Sequence, residues 1–209
     1  MVKNTIGAAV VLALALPAAG WAQHWDTPTF FAPRMADDIG AYIVDTEGGD
    51  LGLAGIWRQS GNINLGVRAG FGGRSGDRTF LVGAELFGML VEPDGGRPLA
   101  VAWMTGAGAS FDGVTALRIP AGVSIGARLG SGDFAVTPYA HPRLSFDMYT
   151  YDLPGGDEET NTELNFDVDL GGELELGESW LLRAAVTIGD REAYGFGLAY
   201  RIPRPVAVR

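Results

Sequence analysis

The segment TELNFDVDLGGELELG, residues 162–177, alternates between apolar and polar residues with almost no exceptions. Successive side chains of a β-strand point to opposite faces, so this segment predicts a strand with one apolar and one acidic face. The same two-residue period runs through most of the chain after residue 61, and no helical period appears beyond the N-terminal segment. This pattern restricts the chain to an all-β fold.

Short segments rich in Gly, Asn and Asp, such as QSGN, EPDGGR and GSGD, separate the alternating runs. They predict about ten strands, with eight as the alternative, joined by short connections as in an antiparallel meander. We therefore predict an antiparallel up-and-down transmembrane β-barrel over residues 37–202. The first two strands, around 38–45 and 51–58, alternate poorly, so their facing stays open. Within the later strands, local breaks or bulges are expected at Pro120, Pro138 and Pro142.

Residues 1–22 have the pattern of a secretory signal peptide. Lys3 is followed by the apolar run IGAAVVLALALPAAG, which is short for a membrane helix, and Gly20-Trp21-Ala22 offers a cleavage site before Gln23. A retained membrane anchor is the alternative. The pattern predicts export in a bacterium. Residues 23–36 have no clear period and predict a periplasmic or partly docked leader, and residues 203–209 form a C-terminal tail.

Charge and composition exclude several classes of function. The 209-residue chain has 15 Lys plus Arg against 25 Asp plus Glu, and Lys3 is the only lysine. Without the signal segment, 14 Arg face 25 acids, a net charge of −11, which argues against a nucleic-acid partner. The chain has no cysteine, so there is neither a disulfide nor a thiolate site.

Alternation alone does not say which face of the barrel is inside. A soluble exported barrel would bury the apolar face, whereas an outer-membrane barrel presents it to lipid. Several strands have five to seven apolar positions in a row, which matches the roughly 9–11 residues of a tilted membrane strand. The polar face is crowded with glycine and lacks lysine, which is typical of a narrow lumen and unusual for a soluble surface. Outer-membrane lipid is therefore the expected partner.

The last predicted strand, YGFGLAYRI at residues 194–202, places Tyr194, Phe196, Leu198, Tyr200 and Ile202 in step. Together with the signal segment and the strand rhythm, it resembles the closing strand of small bacterial outer-membrane β-barrel proteins. The resemblance is to a class and covers residues 37–202. It implies an outer-membrane location in a Gram-negative bacterium. The chain departs from the class by ending on PRPVAVR, where members usually end on an aromatic residue.

The polar face has charges of both signs, seven arginines and seven acids, which include Glu163 and, as the least certain member, Arg58. If the turn near 177–178 is tight, register places Glu173 across from Arg183. If the loop 150–161 closes evenly, Arg143 lies across from Asp169 and diagonal to Asp167. Because the planar fork of arginine suits carboxylates, the acidic row is expected to be structural. The predicted lumen charge network comprises Arg68, Glu85, Arg118, Arg128, Arg143, Asp147, Asp167, Asp169, Glu173, Arg183 and Arg201.

Two other clusters were weighed as sites. His141 lies near Ser145, Asp147 and Asp169 in the predicted sheet, but AHPRLSFD matches no hydrolase motif, so a satisfied lumen histidine is favoured over a catalytic one. Asp157, Glu158 and Glu159 in the loop 150–161 offer hard oxygen ligands for Ca²⁺ without an ordered loop pattern, which favours a solvated surface loop. The sequence predicts no catalytic residue, metal site or cofactor.

The predicted function is a non-enzymatic outer-membrane barrel with a charge-paired, closed or narrow lumen and a structural, adhesive or narrow-permeation role. The alternatives are an exported barrel that binds a small apolar molecule and a narrow porin. Charges of both signs in the lumen favour closure, because a selective pore lines itself with one sign.

Overall fold

The computed structural model describes residues 25–34, 37–46, 50–74, 77–112, 114–132, 134–152 and 158–203. The predicted signal segment 1–22, the loop centre 153–157 with Asp157, and the tail from residue 204 lie outside these ranges. Within them, no helix is long and apolar enough to cross a membrane.

Eleven strand segments account for nearly all of the described chain after residue 37. They are β1 (Asp38–Thr46), β2 (Asp50–Gln59), β3 (Leu65–Arg74), β4 (Asp77–Val91), β5 (Leu99–Asp112), β6 (Val114–Ala127), β7 (Leu129–Ser131), β8 (Phe134–Asp152), β9 (Glu158–Leu176), β10 (Trp180–Gly189) and β11 (Ala193–Arg201).

The strands form one closed antiparallel sheet. Each strand pairs with its neighbour in sequence, except that β6 pairs with β8 instead of β7, and β1 closes the ring by pairing with β11 from Asp38↔Arg201 to Thr46↔Ala193. Because β6 and β7 both pair with β8 and are separated only by Arg128, they form one strand of the barrel. The structure thus confirms the predicted antiparallel barrel of ten strands. We call the end where β1 begins and β11 ends the base, and the opposite end the far end.

Side chains alternate between an apolar exterior and a polar interior. On β10, for example, Trp180, Leu182, Val186 and Ile188 are exposed, whereas Arg183 and Thr187 are buried. A barrel with its apolar side chains outward and its charges inward has the organisation of transmembrane β-barrels. The predicted fold class is confirmed.

The sequence does not show which side chains of β1 and β2 point inward, and the structure gives the reason. Tyr42, Val44, Ala54 and Ile56 point inward and are buried together with Phe30. Since these strands are apolar on the inner face as well as the outer one, alternation fails there. This part of the interior is apolar, and it packs against Phe30 of the N-terminal segment.

The three strand prolines lie where the hydrogen-bonded ladder is interrupted. The β5–β6 pairing skips the partners at Pro120, between Thr105↔Ala121 and Gly108↔Arg118, without a change of register. Pro142 faces a similar gap in the β6–β8 pairing, and Pro138 faces the break between β6 and β7. A proline has no backbone N–H to donate, so the ladder opens locally, as predicted, while the barrel stays in register.

The β8–β9 hairpin extends beyond its neighbours at the far end. Both strands have 19 residues and pair as far as Asp152↔Glu158, whereas β10 leaves β9 at Gly189↔Asp167. The pairs beyond Asp167 therefore project past the β10 side of the wall. Leu164 lies on this projecting part.

The first prediction uses this difference in how far the strands extend at the far end. Leu198 on β11 and Leu164 on β9 are both exposed leucines, at 43% and 68%. We expect Leu198→Arg to lower the free energy of unfolding by roughly 2–4 kcal/mol, because it places a guanidinium in the apolar belt. Leu164→Arg is the control and is expected to cost less, because Leu164 lies on the part of the hairpin that projects past the end of β10. Urea unfolding in lipid vesicles measures both changes, and equal penalties would contradict a membrane-facing exterior.

Candidate functional site in the barrel interior

The interior of the barrel is occupied by the chain itself. Residues 25–34, which we call the lumen segment, run inside the wall, and residues 25–33 are buried. Phe31 lies beside Phe87, near the base end of β4, whereas Asp26 lies near Arg191 in the far-end turn between β10 and β11. The segment therefore enters from the base, where Arg34 is exposed, and reaches toward the far end. It lies deeper than the periplasmic or partly docked leader that we predicted.

Arginines of the wall bind the backbone of the lumen segment. Arg68 donates from Nη1 to the carbonyl oxygens of Trp25 (3.1 Å) and Pro28 (2.7 Å), and from Nη2 to that of Thr29 (2.7 Å). Arg58 donates to the carbonyl oxygens of Thr29 (2.8 Å) and Phe30 (3.1 Å). An irregular segment buried in a lumen lacks the partners that a strand or a helix provides, and these guanidinium groups supply them.

The aromatic side chains of the lumen segment fill places that glycine leaves open. A Cβ added at Gly83 or Gly108 would collide with the ring of Trp25, and one at Gly106 would lie 3.0 Å from that ring. Phe30 stacks on Tyr42, with ring centroids 4.5 Å apart, and a Cβ at Gly195 would lie 2.9 Å from it. The glycines of the inner face thus make room for aromatic rings of the lumen segment.

Phe31 occupies the second apolar part of the interior. It is buried with Phe87, Ala102 and Met104, and its carbonyl oxygen accepts a hydrogen bond of 2.6 Å from the Ser124 hydroxyl. The interior is therefore a packed core of apolar and polar parts, with the lumen segment at its centre.

Near the far end, Arg143 joins the lumen segment to the wall. It contacts Asp26 of the segment at 2.5 Å, Asp167 at 3.4 Å and Asp169 at 3.3 Å, and all four side chains are buried. Arg191 contacts the same group, since it pairs with Asp167 and lies 3.6 Å from Asp26. Arg118 lies beside Asp147 at 3.3 Å.

Nearer the base, the ion pairs join wall strands directly. Arg183 lies 2.7 Å from Glu173 and 2.5 Å from Asp38, and Arg58 pairs with Glu85. Half-buried Glu175 receives Arg128 at 2.6 Å and Arg201 at 3.5 Å. These pairs join β1 to β10, β9 to β10, β2 to β4, the junction of β6 and β7 to β9, and β9 to β11.

Several expectations about register and partners need correction. Arg143 lies directly opposite Asp167 and diagonal to Asp169, the reverse of the predicted order, because the β8–β9 register pairs Asp152 with Glu158. Glu173 lies opposite Arg183, as expected. Glu163 is exposed on the projecting hairpin and does not line the closed lumen. Among the described residues, Arg68 has no carboxylate within ion-pair distance and binds carbonyl groups instead.

Four charged residues of the interior were missed or left uncertain by sequence reasoning. Asp26 lies in a segment without period, Asp38 is the first residue of β1, and Arg191 lies in a turn and folds inward. Arg58 lies in β2, where the facing was open. The signal that could have found the lumen segment is its content of Trp25, Phe30 and Phe31, which are unusual in a solvated leader.

His141 is fully buried and belongs to the packing of the lumen segment. Its Nδ1 lies 3.0 Å from the Thr29 hydroxyl, which also donates to Asp169 at 2.6 Å, and its ring lies 5.3 Å from that of Phe31. A general base must reach a substrate, and these neighbours leave His141 no open side. In the described part of the chain, no group of three or more His, Asp or Glu residues could hold a metal ion.

No protein-family model matches the chain, and the search of curated proteins gives no match. Solved structures with a related arrangement include the N-terminal β-barrel domain of Pseudomonas aeruginosa OprF, at 10% identity over 80% of this chain and 98% of that one, with a TM-score of 0.41. The KdgM porin has 12% identity, coverage of 79% and 99%, and a TM-score of 0.41. Ail, the attachment invasion locus protein of Yersinia pestis, in complex with sucrose octasulfate, has 8% identity over 81% of this chain and 100% of that one, with a TM-score of 0.35. We infer no function from these similarities.

The second prediction concerns Arg143. Removing it leaves Asp169 without an arginine and leaves Asp26 and Asp167 with Arg191 alone, so we expect Arg143→Ala to cost about 3–5 kcal/mol of unfolding free energy. Unfolding of detergent-solubilised protein, followed by tryptophan fluorescence, measures the loss.

The matched control is Arg97→Ala. Arg97 pairs with Asp94 at 3.0 Å, but the two side chains are 67% and 56% exposed. The backbone N–H of Gly96, with help from Arg97, lowers the pKa of Asp94, so this pair is charged at neutral pH. Exposed pairs contribute little to stability. An Arg143→Ala variant as stable as Arg97→Ala would rule out a stabilising role for the buried cluster.

Proposed function

We propose that this protein is a non-enzymatic outer-membrane β-barrel of a Gram-negative bacterium, closed to solutes, with a structural or adhesive role. The observation that carries the proposal is the occupied lumen, in which the lumen segment and the buried ion pairs of the wall fill the interior. Eight strands leave room only for side chains, and the additional width of ten strands is taken up here by a peptide.

The proposed orientation follows from the even number of strands. Outer-membrane barrels keep their short turns in the periplasm and their longer loops outside. The β8–β9 hairpin, which projects at the far end, fits the outside of the cell, and the base, where β1 begins and β11 ends, then faces the periplasm. A hairpin that stands above the wall supports an adhesive role.

The two alternatives find less support. A barrel that binds a small apolar molecule needs an open apolar interior, whereas the apolar interior here is packed around Phe30 and Phe31. A groove of about 550 Å³ lies across β9, β10 and β11 and is lined largely by exposed residues such as Leu170, Val186 and Phe196, which places its opening on the apolar exterior. A narrow porin needs a continuous water path through the interior, and the lumen segment obstructs such a path. The burial of His141 supports a non-enzymatic role.

The third prediction tests closure. Purified wild-type protein in planar lipid bilayers is expected to show negligible steady conductance, because buried side chains and the lumen segment leave no water path. An empty bilayer and a known open porin at the same protein concentration are the controls. A large, stable conductance from the wild type would overturn the proposal and favour the porin alternative.

The fourth prediction tests location. The protein is expected in the outer-membrane fraction, to resist carbonate extraction, and to begin at Gln23, because the exterior is apolar and the predicted signal peptide ends at Ala22. Membrane fractionation followed by N-terminal sequencing gives both results. Recovery of the protein in the soluble periplasm would contradict the membrane location, and retention of Met1 would contradict cleavage.

A further inference from the structure

We infer that the lumen segment is a removable plug and that the wall behind it encloses an anion-preferring pore. This inference goes beyond the proposed function, which concerns only the closed state, and it rests on the outer-membrane location proposed above. In the structure, residues 25–34 of the same chain occupy the interior.

The wall keeps most of its own ion pairs when the lumen segment is set aside. Arg183 has Asp38 and Glu173, Arg58 has Glu85, and Arg118 has Asp147. Arg143 keeps Asp167 and Asp169 as partners, and Arg191 keeps Asp167. The wall therefore does not need the segment to neutralise these arginines. Such pairs hold neighbouring strands together and keep their side chains against the wall.

The contacts to the lumen segment resemble those of a binding site for a peptide. Carbonyl oxygens of Trp25, Pro28, Thr29, Phe30 and Phe31 accept hydrogen bonds from Arg58, Arg68 and Ser124. Trp25 lies in a recess formed by Gly83, Gly106 and Gly108. Contacts to backbone and aromatic recesses are how extended peptides are bound by grooves.

Removing the lumen segment changes the charge of the interior toward positive. The segment takes with it Asp26, which lies against Arg143 and Arg191. It also takes the three carbonyl oxygens that accept hydrogen bonds from Arg68, which has no carboxylate within ion-pair distance among the described residues. An opening lined by a free arginine prefers anions. Glycines at 83, 106, 108 and 195 then leave space where the aromatic rings were.

The experiment cuts the connection after the full chain has folded. A protease recognition sequence is inserted between exposed Arg34 and Asp37, and the purified barrel is cut in detergent, washed and analysed by mass spectrometry for bound peptide. Planar bilayer recordings in a KCl gradient then compare cut and uncut protein. We expect loss of the peptide, the appearance of stable conductance steps, and a reversal potential that shows a preference for chloride over potassium.

Two glycine variants of the same cleavable protein sharpen the test. Gly83→Ala adds a methyl group where the Trp25 ring lies, so it is expected to speed the release of the peptide. Gly172→Ala is the matched control, because an added Cβ there meets nothing within 4 Å. Arg68→Gln in the cut protein is expected to reduce the chloride preference.

The outcomes separate this inference from the proposed function. Conductance from the uncut wild type overturns closure, and with it the idea that the lumen segment plugs the pore. Uncut protein without conductance supports closure of the barrel but does not by itself support a removable plug. Peptide that stays bound after cutting, even with Gly83→Ala, overturns a removable plug. Peptide that leaves without the appearance of conductance overturns the pore, and a preference for potassium overturns the role assigned to Arg68.

Discussion

The constraint on which the structure depends is the need to satisfy backbone carbonyl groups buried in the middle of a barrel. Side chains alone would fill a barrel of eight strands, but this wall has ten strands and many inward glycines. A peptide fills the remaining space, and its carbonyl oxygens need donors. Arg58 and Arg68 provide five hydrogen bonds to them. A guanidinium can reach two or three carbonyl oxygens at once because its donors are fixed in a plane, which an ammonium group cannot do in the same way.

The arginines of the lumen fall into three groups according to what they contact. Arg183 and Arg118 pair with carboxylates of the wall and join neighbouring strands. Arg68 binds only carbonyl groups among the described residues, while Arg58 and Arg143 contact both wall and segment. A buried ion pair contributes through the high cost of breaking it more than through its net energy. The network therefore specifies which strands and which segment lie together.

Much of the fold follows from the sequence, because a two-residue period reports which side chains leave water. It predicted ten strands, their direction and breaks at the prolines, and it placed Glu173 opposite Arg183. It could not assign β1 and β2, because Tyr42, Val44 and Ile56 face an apolar part of the lumen. The predicted partner of Arg143 was wrong by two residues, Asp169 instead of Asp167, since it depends on the register of the β8–β9 hairpin. The lumen segment has no period, so its contacts with Gly83 or Ser124 leave no local pattern to read.

The place of Phe30 has a consequence for assembly. Its ring stacks on Tyr42 of β1 and lies next to Gly195 of β11, so it touches both strands of the seam where the two ends of the sheet meet. An open sheet with unpaired edges is a site for wrong pairing. Because the same residue contributes to filling the interior and to joining the seam, the two events stabilise each other. A barrel without Phe30 in place would lose contacts on both sides of the seam, where the two edges of the sheet must pair.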